Sequence, residues 1–258
     1  MSDWSPTSYL QFEDERTRAA RDLLAQVRPT GVRSVVDLGC GPGNSTELLA
    51  LRFPQAELLG LDNSPAMLAE ARRRLPQARF ELADAADWTP DSGADLVFAN
   101  ALYQWIPDHL QQLQRLLAAL RPGATLAVQM PDNLAEPMHR LMSEVAGAAQ
   151  WKARLAGAAR DPLPPVRAYY QALARWAARL DLWHTTYQHH LSDAGAIVEF
   201  VRSTGLRPFL EPLSAAERAE FLATYKDKIA TAYPPLEDGS VLLAFPRLFI
   251  VAERGAGP

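Results

Sequence analysis

Asp37, Asp62 and Asp84 share a setting: each lies at the end of a short apolar run in the first third of the chain. Residues 35–46 read VVDLGCGPGNST, so Gly39, Gly41 and Gly43 alternate with other residues directly after Asp37. Glycine at that density lets a backbone turn tightly, approach a ligand and open a helix toward it. A carboxylate about twenty residues further on is placed to accept hydrogen bonds from both hydroxyls of a ribose, and Asp62 stands there. Asp84, in ELADAADW, can accept from an exocyclic amino group. Any one of these aspartates also suits a turn or a helix cap. Three in succession, each at a strand end, point to a nucleoside site.

The loop narrows the kind of nucleoside. A dinucleotide loop of the Gly-x-Gly-x-x-Gly type aims a helix N-terminus at a pyrophosphate. Here the spacing is Gly39-x-Gly41-x-Gly43, with Asp37 just ahead of it. A carboxylate repels a pyrophosphate and attracts a cationic amino-acid tail. S-adenosylmethionine, with a sulfonium, an ammonium and no phosphate, fits that charge pattern. The segment Phe98–Ala101 ends the next apolar run and lies where the methyl group would be presented.

These residues need a scaffold, and the sequence predicts one. Apolar runs at 34–38, 58–61, 79–82, 94–99 and 125–130 read as strands. Helical periodicities lie between or beside them, over 13–27, 45–53, 64–75 and 108–120. Ser64 is placed to cap its helix with Pro65 at the first position. Near-continuously apolar strands separated by helices imply a parallel sheet covered on both faces. The rhythm then changes: residues 136–179 read as mainly helical, 180–191 as a strand, and 192–235 as helices. Within that second helical stretch, Ser214-Ala-Ala-Glu217 forms a capping box. SVLLAFPRLFIVA, within 240–254, reads as a closing strand. The expected organisation is a single α/β domain over 1–258, with a cofactor-binding core over 1–135. Helical insertions at 136–179 and 192–235 interrupt it, and strands at 180–191 and 240–254 return to it.

Composition narrows the partners. A net charge of -4 without long single-sign runs gives no reason to expect nucleic acid or a membrane surface. One cysteine excludes an internal disulfide framework and fits a reducing, cytoplasmic setting. The polar N-terminal stretch lacks the apolar core of a signal peptide. His189 and His190 are adjacent, so on a strand they face opposite ways. Together with His109, His139 and His184 they show no metal-ligand spacing, and no metal is expected. Cys40 reads as a small residue fitted to a crowded turn.

VVDLGCGPGNST, LLGLDNSPAMLAEAR, FELADAADW, LVFANALYQWIPDH and LAVQMPDN resemble, in order and spacing, the class I S-adenosylmethionine-dependent methyltransferases. MSDWSPTSYLQF, AYYQAL, LWHTTYQHH, STGLRPF and LLAFPRLFIVA extend the resemblance over nearly the whole chain. They make it similar to the subfamily that acts on trans-aconitate. The fold so implied is Rossmann-like: a seven-stranded, mostly parallel sheet with an antiparallel last strand, helices on both faces, and helical insertions forming a lid. The resemblance gives the methionyl part to Asp37, Gly39, Gly41 and Gly43, the ribose to Asp62 with Asn63, and the adenine to Asp84 with Ala85. Asn100 and Ala101 would lie along the methionyl chain.

The implied reaction esterifies one carboxylate of a small anionic tricarboxylate and leaves S-adenosylhomocysteine. A carboxylate is already ionised at neutral pH, so no general base is assigned and positioning carries the catalysis. The remaining carboxylates need cationic partners, ideally bidentate arginines. Arg16, Arg207 and Arg247 are the candidates, with Tyr9, Trp105 and Tyr170 as aromatic walls; Tyr169 and Tyr187 are further aromatics of the same kind. Each arginine could equally be a solvated side chain and each aromatic a core residue. Three other readings stay open: another small or carrier-bound acid as acceptor, a dinucleotide-dependent oxidoreductase, and a non-catalytic binding module.

Overall fold

The computed structural model describes residues 13–28, 31–90, 93–202 and 204–256. Its sheet has seven strands in the order β3-β2-β1-β4-β5-β7-β6. They are β1 (Ser34–Leu38), β2 (Glu57–Asp62), β3 (Arg79–Leu82), β4 (Leu96–Asn100), β5 (Thr125–Pro131), β6 (Ala177–Leu191) and β7 (Val241–Arg254). The first five pair in parallel. β7 runs the other way: Arg254 N donates to Ala124 O, while Asp132 N donates to Pro246 O. β6 opposes β7 in turn, since Gly255 N donates to Trp176 O and Trp183 stacks on Phe249. The chain therefore carries the expected mixed sheet with an antiparallel closing strand.

The helices are α1 (Glu13–Ala25), α2 (Asn44–Arg52), α3 (Pro65–Arg74), α4 (His109–Ala119), α5 (Pro137–Ala146), α6 (Val166–Leu173), α7 (Ala194–Arg202), α8 (Arg207–Leu210) and α9 (Ala215–Ala232). α3 starts as its sequence dictates: Ser64 Oγ accepts from Met67 N at 3.2 Å, and Pro65 fills the first turn. α9 carries the full capping box between Ser214 and Glu217. Among the described residues no helix is long and apolar enough to cross a membrane.

One expectation needs correcting. The stretch 136–179 is helical only over α5, α6 and a short 3₁₀ turn at Ala174–Trp176. Residues 147–165 form turns and irregular chain. Pro162, Pro164 and Pro165 explain the end of that stretch, because each lacks an amide hydrogen and clashes with the turn before it. β6 then starts at Ala177, three residues earlier than its apolar run, because polar residues alternate along this outer strand.

The described chain divides into two compact units. Among the described residues, one comprises those within 13–131, 163–185 and 248–256; the other comprises those within 132–162 and 186–247. In the first, Leu38, Val97, Leu126, Val128 and Ile250 of the sheet bury against Leu113 and Leu117 of α4. β1, β4 and β5 are buried on both faces, which is why they read as unbroken apolar runs. In the second, Tyr225 Oη donates to Met138 O at 2.9 Å, and Phe221 packs against Trp151 and Phe209.

Candidate active site

The glycine loop begins where β1 stops. Gly39, Gly41 and Gly43 have φ of 67, 55 and 91°, the left-handed region that side chains resist. Gly39 N and Cys40 N both donate to Leu61 O, at 2.8 and 3.0 Å, which ties the loop to β2. Gly43 caps α2, and a Cβ there would come within 3.3 Å of the Ala71 backbone, so α2 and α3 approach closely. A Cβ on Gly41 would meet nothing within 4 Å among the described residues. At Gly41 the backbone angle demands glycine, and the surface there is open. Cys40 is buried, and burial raises its thiol far above the ordinary range, so it is no nucleophile at neutral pH.

Asp37 points into the interior with a relative exposure of 1 %. Its Oδ2 accepts from Ser45 Oγ and Thr46 Oγ1, each at 2.7 Å, in the first turn of α2. Its Oδ1 has no hydrogen-bond partner among the described residues. Burial pushes the carboxyl up to about 7; the two hydroxyls pull it down and the charge of Asp62 adds to the rise. A buried carboxylate with one vacant oxygen is a site for a cation.

Asp62 closes β2 and clamps the loop: Oδ2 accepts from Gly41 N and Oδ1 from Ser64 N, both at 2.9 Å. Asn63 beside it is exposed. Asp84 follows β3, exposed, with Oδ1 accepting from Ala86 N at 2.9 Å; Ala85 is half-buried. Asn100 ends β4 opposite Gln129, and its Oδ1 is buried with no partner among the described residues. Ala101 has φ of 57°, rare for a residue with a Cβ. Its strained turn is held by its own amide on Gln129 O, at 2.8 Å, and by its carbonyl, which accepts from Gln104 Nε2. Thus Asp37, the three glycines, Asp62, Asn63, Asp84, Ala85, Asn100 and Ala101 all gather at the carboxyl ends of β1–β4, where open α/β sheets bind ligands.

The residues expected at the acid fall out differently. Tyr9 lies outside the described residues, and Arg16 belongs to α1 with its side chain outside them. Trp105 is half-buried in the short turn after β4. Tyr170 is 56 % exposed on α6. Its neighbour Tyr169 is the buried one, with its hydroxyl 2.6 Å from His109 Nε2. Arg207 Nε donates to Glu211 at 3.0 Å along α8. Arg247 is 2 % exposed, its guanidinium 4.5 Å above the Phe245 ring and 5.9 Å from that of Tyr187. His189 is buried and His190 exposed, on opposite faces of β6.

Ser45 and Thr46 were legible as hydroxyls beside the glycine loop but not as partners of Asp37. Arg160, whose Nη2 donates to Asn133 Oδ1 at 3.0 Å, carried no sequence signal, because the two lie far apart in the chain.

Comparison with known proteins finds relatives of the whole chain. A family model described as a methyltransferase domain matches residues 35–123. Trans-aconitate 2-methyltransferase of Rhodopseudomonas palustris (strain BisB18) is 58 % identical, over 98 % of this chain and 99 % of its own. The protein of the same name from Afipia carboxidovorans is 57 % identical, over 98 % of this chain and 100 % of its own. Among solved structures, the YcgJ protein of Bacillus subtilis superposes with a TM-score of 0.59 at 15 % identity, covering 93 % of this chain and 99 % of that one. A Haemonchus contortus phosphoethanolamine N-methyltransferase 2, solved with S-adenosyl-L-methionine, gives 0.56 at 16 % identity, covering 96 % of this chain and 56 % of that one. At such identities the structures speak for the fold alone.

Proposed function

The chain belongs to the trans-aconitate 2-methyltransferase family, and from that premise we propose that it uses S-adenosylmethionine to convert one carboxylate of trans-aconitate to its methyl ester. The observation that carries the reading is 57–58 % identity, over 98 % of this chain, with relatives of that name. The chain's own chemistry supports the methyl donor: a buried carboxylate with a vacant oxygen beside a glycine loop with an open face. That combination suits an ammonium group and a close-lying backbone and would repel a pyrophosphate.

In this reading Asp37 takes the ammonium, held facing it by Ser45 and Thr46. Gly39, Gly41 and Gly43 line the methionyl part, with Asn100 and Ala101 along it. Asp62 and Asn63 take the ribose, and Asp84 and Ala85 the adenine. Bound S-adenosylmethionine supplies a methyl group on a positively charged sulfur. The acceptor carboxylate is ionised at neutral pH, so no side chain has to remove a proton. What remains for the chain is to align and dehydrate the acceptor, an effect worth roughly 7–11 kcal/mol when the reacting atoms are well oriented. Arg247, buried against aromatic rings, is the arginine whose burial best suits binding a non-reacting carboxylate. The single buried cysteine also fits the cytoplasmic setting that belongs to this reading.

Incubation with methyl-labelled S-adenosylmethionine and trans-aconitate is expected to give a base-labile labelled ester. Folded protein that binds S-adenosylhomocysteine yet transfers no label to trans-aconitate would refute the assignment.

A further inference from the structure

Thr17 lies in α1 and is 6 % exposed, on the buried side of the helix with Ala20 and Leu24. A threonine inside a helix commonly turns its hydroxyl onto the carbonyl one turn back. Thr17 Oγ1 is buried and makes no hydrogen bond among the described residues. A buried hydroxyl left without a partner costs stability and is uncommon in a folded protein.

The register of the sheet places its surroundings. Asp37 pairs with Phe98, and Asn100 pairs with Gln129. Side chains alternate along a strand, so Asp37, Phe98, Asn100 and Gln129 share one face. Val36, Leu38, Val97 and Ala99 take the other, against α4. The face of Asp37 is the α2 side, where Ser45 and Thr46 bind it, and α1 packs against both α2 and β5. α1 leads to the amino end of β1 through residues 26–33, with Val27 and Val32 buried. Its last turn therefore sits at the amino edge of the sheet, and Thr17, about two turns earlier, lies toward the carboxyl edge. That edge of one face, within one compact unit, thus carries three buried oxygens with no partner among the described residues: Asp37 Oδ1, Asn100 Oδ1 and Thr17 Oγ1.

An α-amino-acid tail presents both signs of charge on neighbouring groups. Asp37 and Asn100 offer acceptor oxygens, which suit its ammonium. Of the three oxygens only the hydroxyl can also donate, and a carboxylate needs a donor. Resting on the S-adenosylmethionine reading above, we propose that Thr17 donates to the carboxylate of the methyl donor's amino-acid tail, so that α1 forms a wall of that site. The chain then recognises both ends of the zwitterion, with Asp37 on the ammonium and Thr17 on the carboxylate. A neutral donor serves there without competing with the ammonium for Asp37, as a cation would.

Thr17→Val removes the hydroxyl and keeps the shape of the side chain, whereas Thr17→Ser keeps the hydroxyl. Calorimetric titration of each protein compares S-adenosylhomocysteine with its decarboxylated analogue, which lacks only the carboxylate. Thr17→Val should weaken S-adenosylhomocysteine by about 10-fold or more, the scale of a lost hydrogen bond to a charged group, and leave the analogue unchanged. Thr17→Ser should bind both ligands as the unmodified protein does. Without ligand, Thr17→Val should melt no lower than the unmodified protein, because a buried hydroxyl without a partner adds nothing to the fold. Equal loss for the two ligands, or no loss for either, overturns the role of Thr17 and leaves the cofactor reading in place. Unmodified protein that binds neither ligand overturns the cofactor reading, and the role of Thr17 with it.

Discussion

Thr46 donates from its side chain to the carboxylate of Asp37, 2.7 Å from Oδ2. The contact turns one oxygen of a buried acid inward to α2 and leaves the other for something the described chain does not provide. Burial alone would hold the acid neutral, and the hydroxyls pull it back toward ionisation. The apo-protein therefore carries a charge site that costs stability until a cation arrives.

Asp37→Asn tests that cost. The Asp37 carboxyl is raised from the ordinary 3.8 to about 7 in the folded chain, so the fold favours its protonated form. Its contribution to stability is full below the unfolded value and is lost as pH rises through about 7. The neutral amide escapes this loss. Denaturation of both proteins without ligand should show the stability difference shifting in favour of Asp37→Asn between pH 4 and 8. S-adenosylhomocysteine affinity should fall by about tenfold or more, the scale of one charge-assisted hydrogen bond. Parallel pH curves for the two proteins would contradict it.

Asp62→Ala should damage two things at once. Gly41 N and Ser64 N both lose their acceptor, at about 1–2 kcal/mol of stability for the pair. KM for the methyl donor should rise strongly while kcat at saturation changes less. Calorimetry with S-adenosylhomocysteine measures the first effect without turnover, and an unchanged affinity would remove Asp62 from the ribose site.

Arg247→Lys keeps the charge and loses the planar fork that lies over Phe245. A lysine cannot make a bidentate contact or the same stacking. KM for trans-aconitate should rise about tenfold or more, as for one lost charge-assisted hydrogen bond, with donor KM unaltered. Equal KM for the acid in both proteins would assign Arg247 to packing only.

Ala101 sits at φ 57°. Replacement by valine, whose branched side chain tolerates that region poorly, should cost about 1–2 kcal/mol. Glycine there should be close to neutral, because relief of strain offsets its greater freedom when unfolded. Melting curves of the two variants settle the order.

The loop and strand-end residues were readable as local structure because each is written in local chemistry. A left-handed backbone demands glycine, so Gly39, Gly41 and Gly43 announce the loop, and Ser64-Pro65 announces the helix after β2. The parallel strands showed themselves by burial on both faces. What stayed hidden depends on distance along the chain. Nothing local in Asn133 or Arg160 tells that one will meet the other. Tyr169 and Tyr170 are neighbours of one type, and only helix orientation decides that Tyr169 is buried and Tyr170 exposed. The break at 147–165 is hidden because its alanine-rich sequence reads as helix, and the prolines that argue against one, Pro162, Pro164 and Pro165, stand only at its end.

β6 enters one compact unit and leaves in the other, crossing at 185–186, and β7 does the same at 247–248. At the level of the gene, neither unit is a cassette. No single uninterrupted stretch of coding sequence carries either whole, so a recombination that exchanged one unit would have to break inside two strands. A protein built this way should therefore change by point substitution within each unit and not by shuffling of parts.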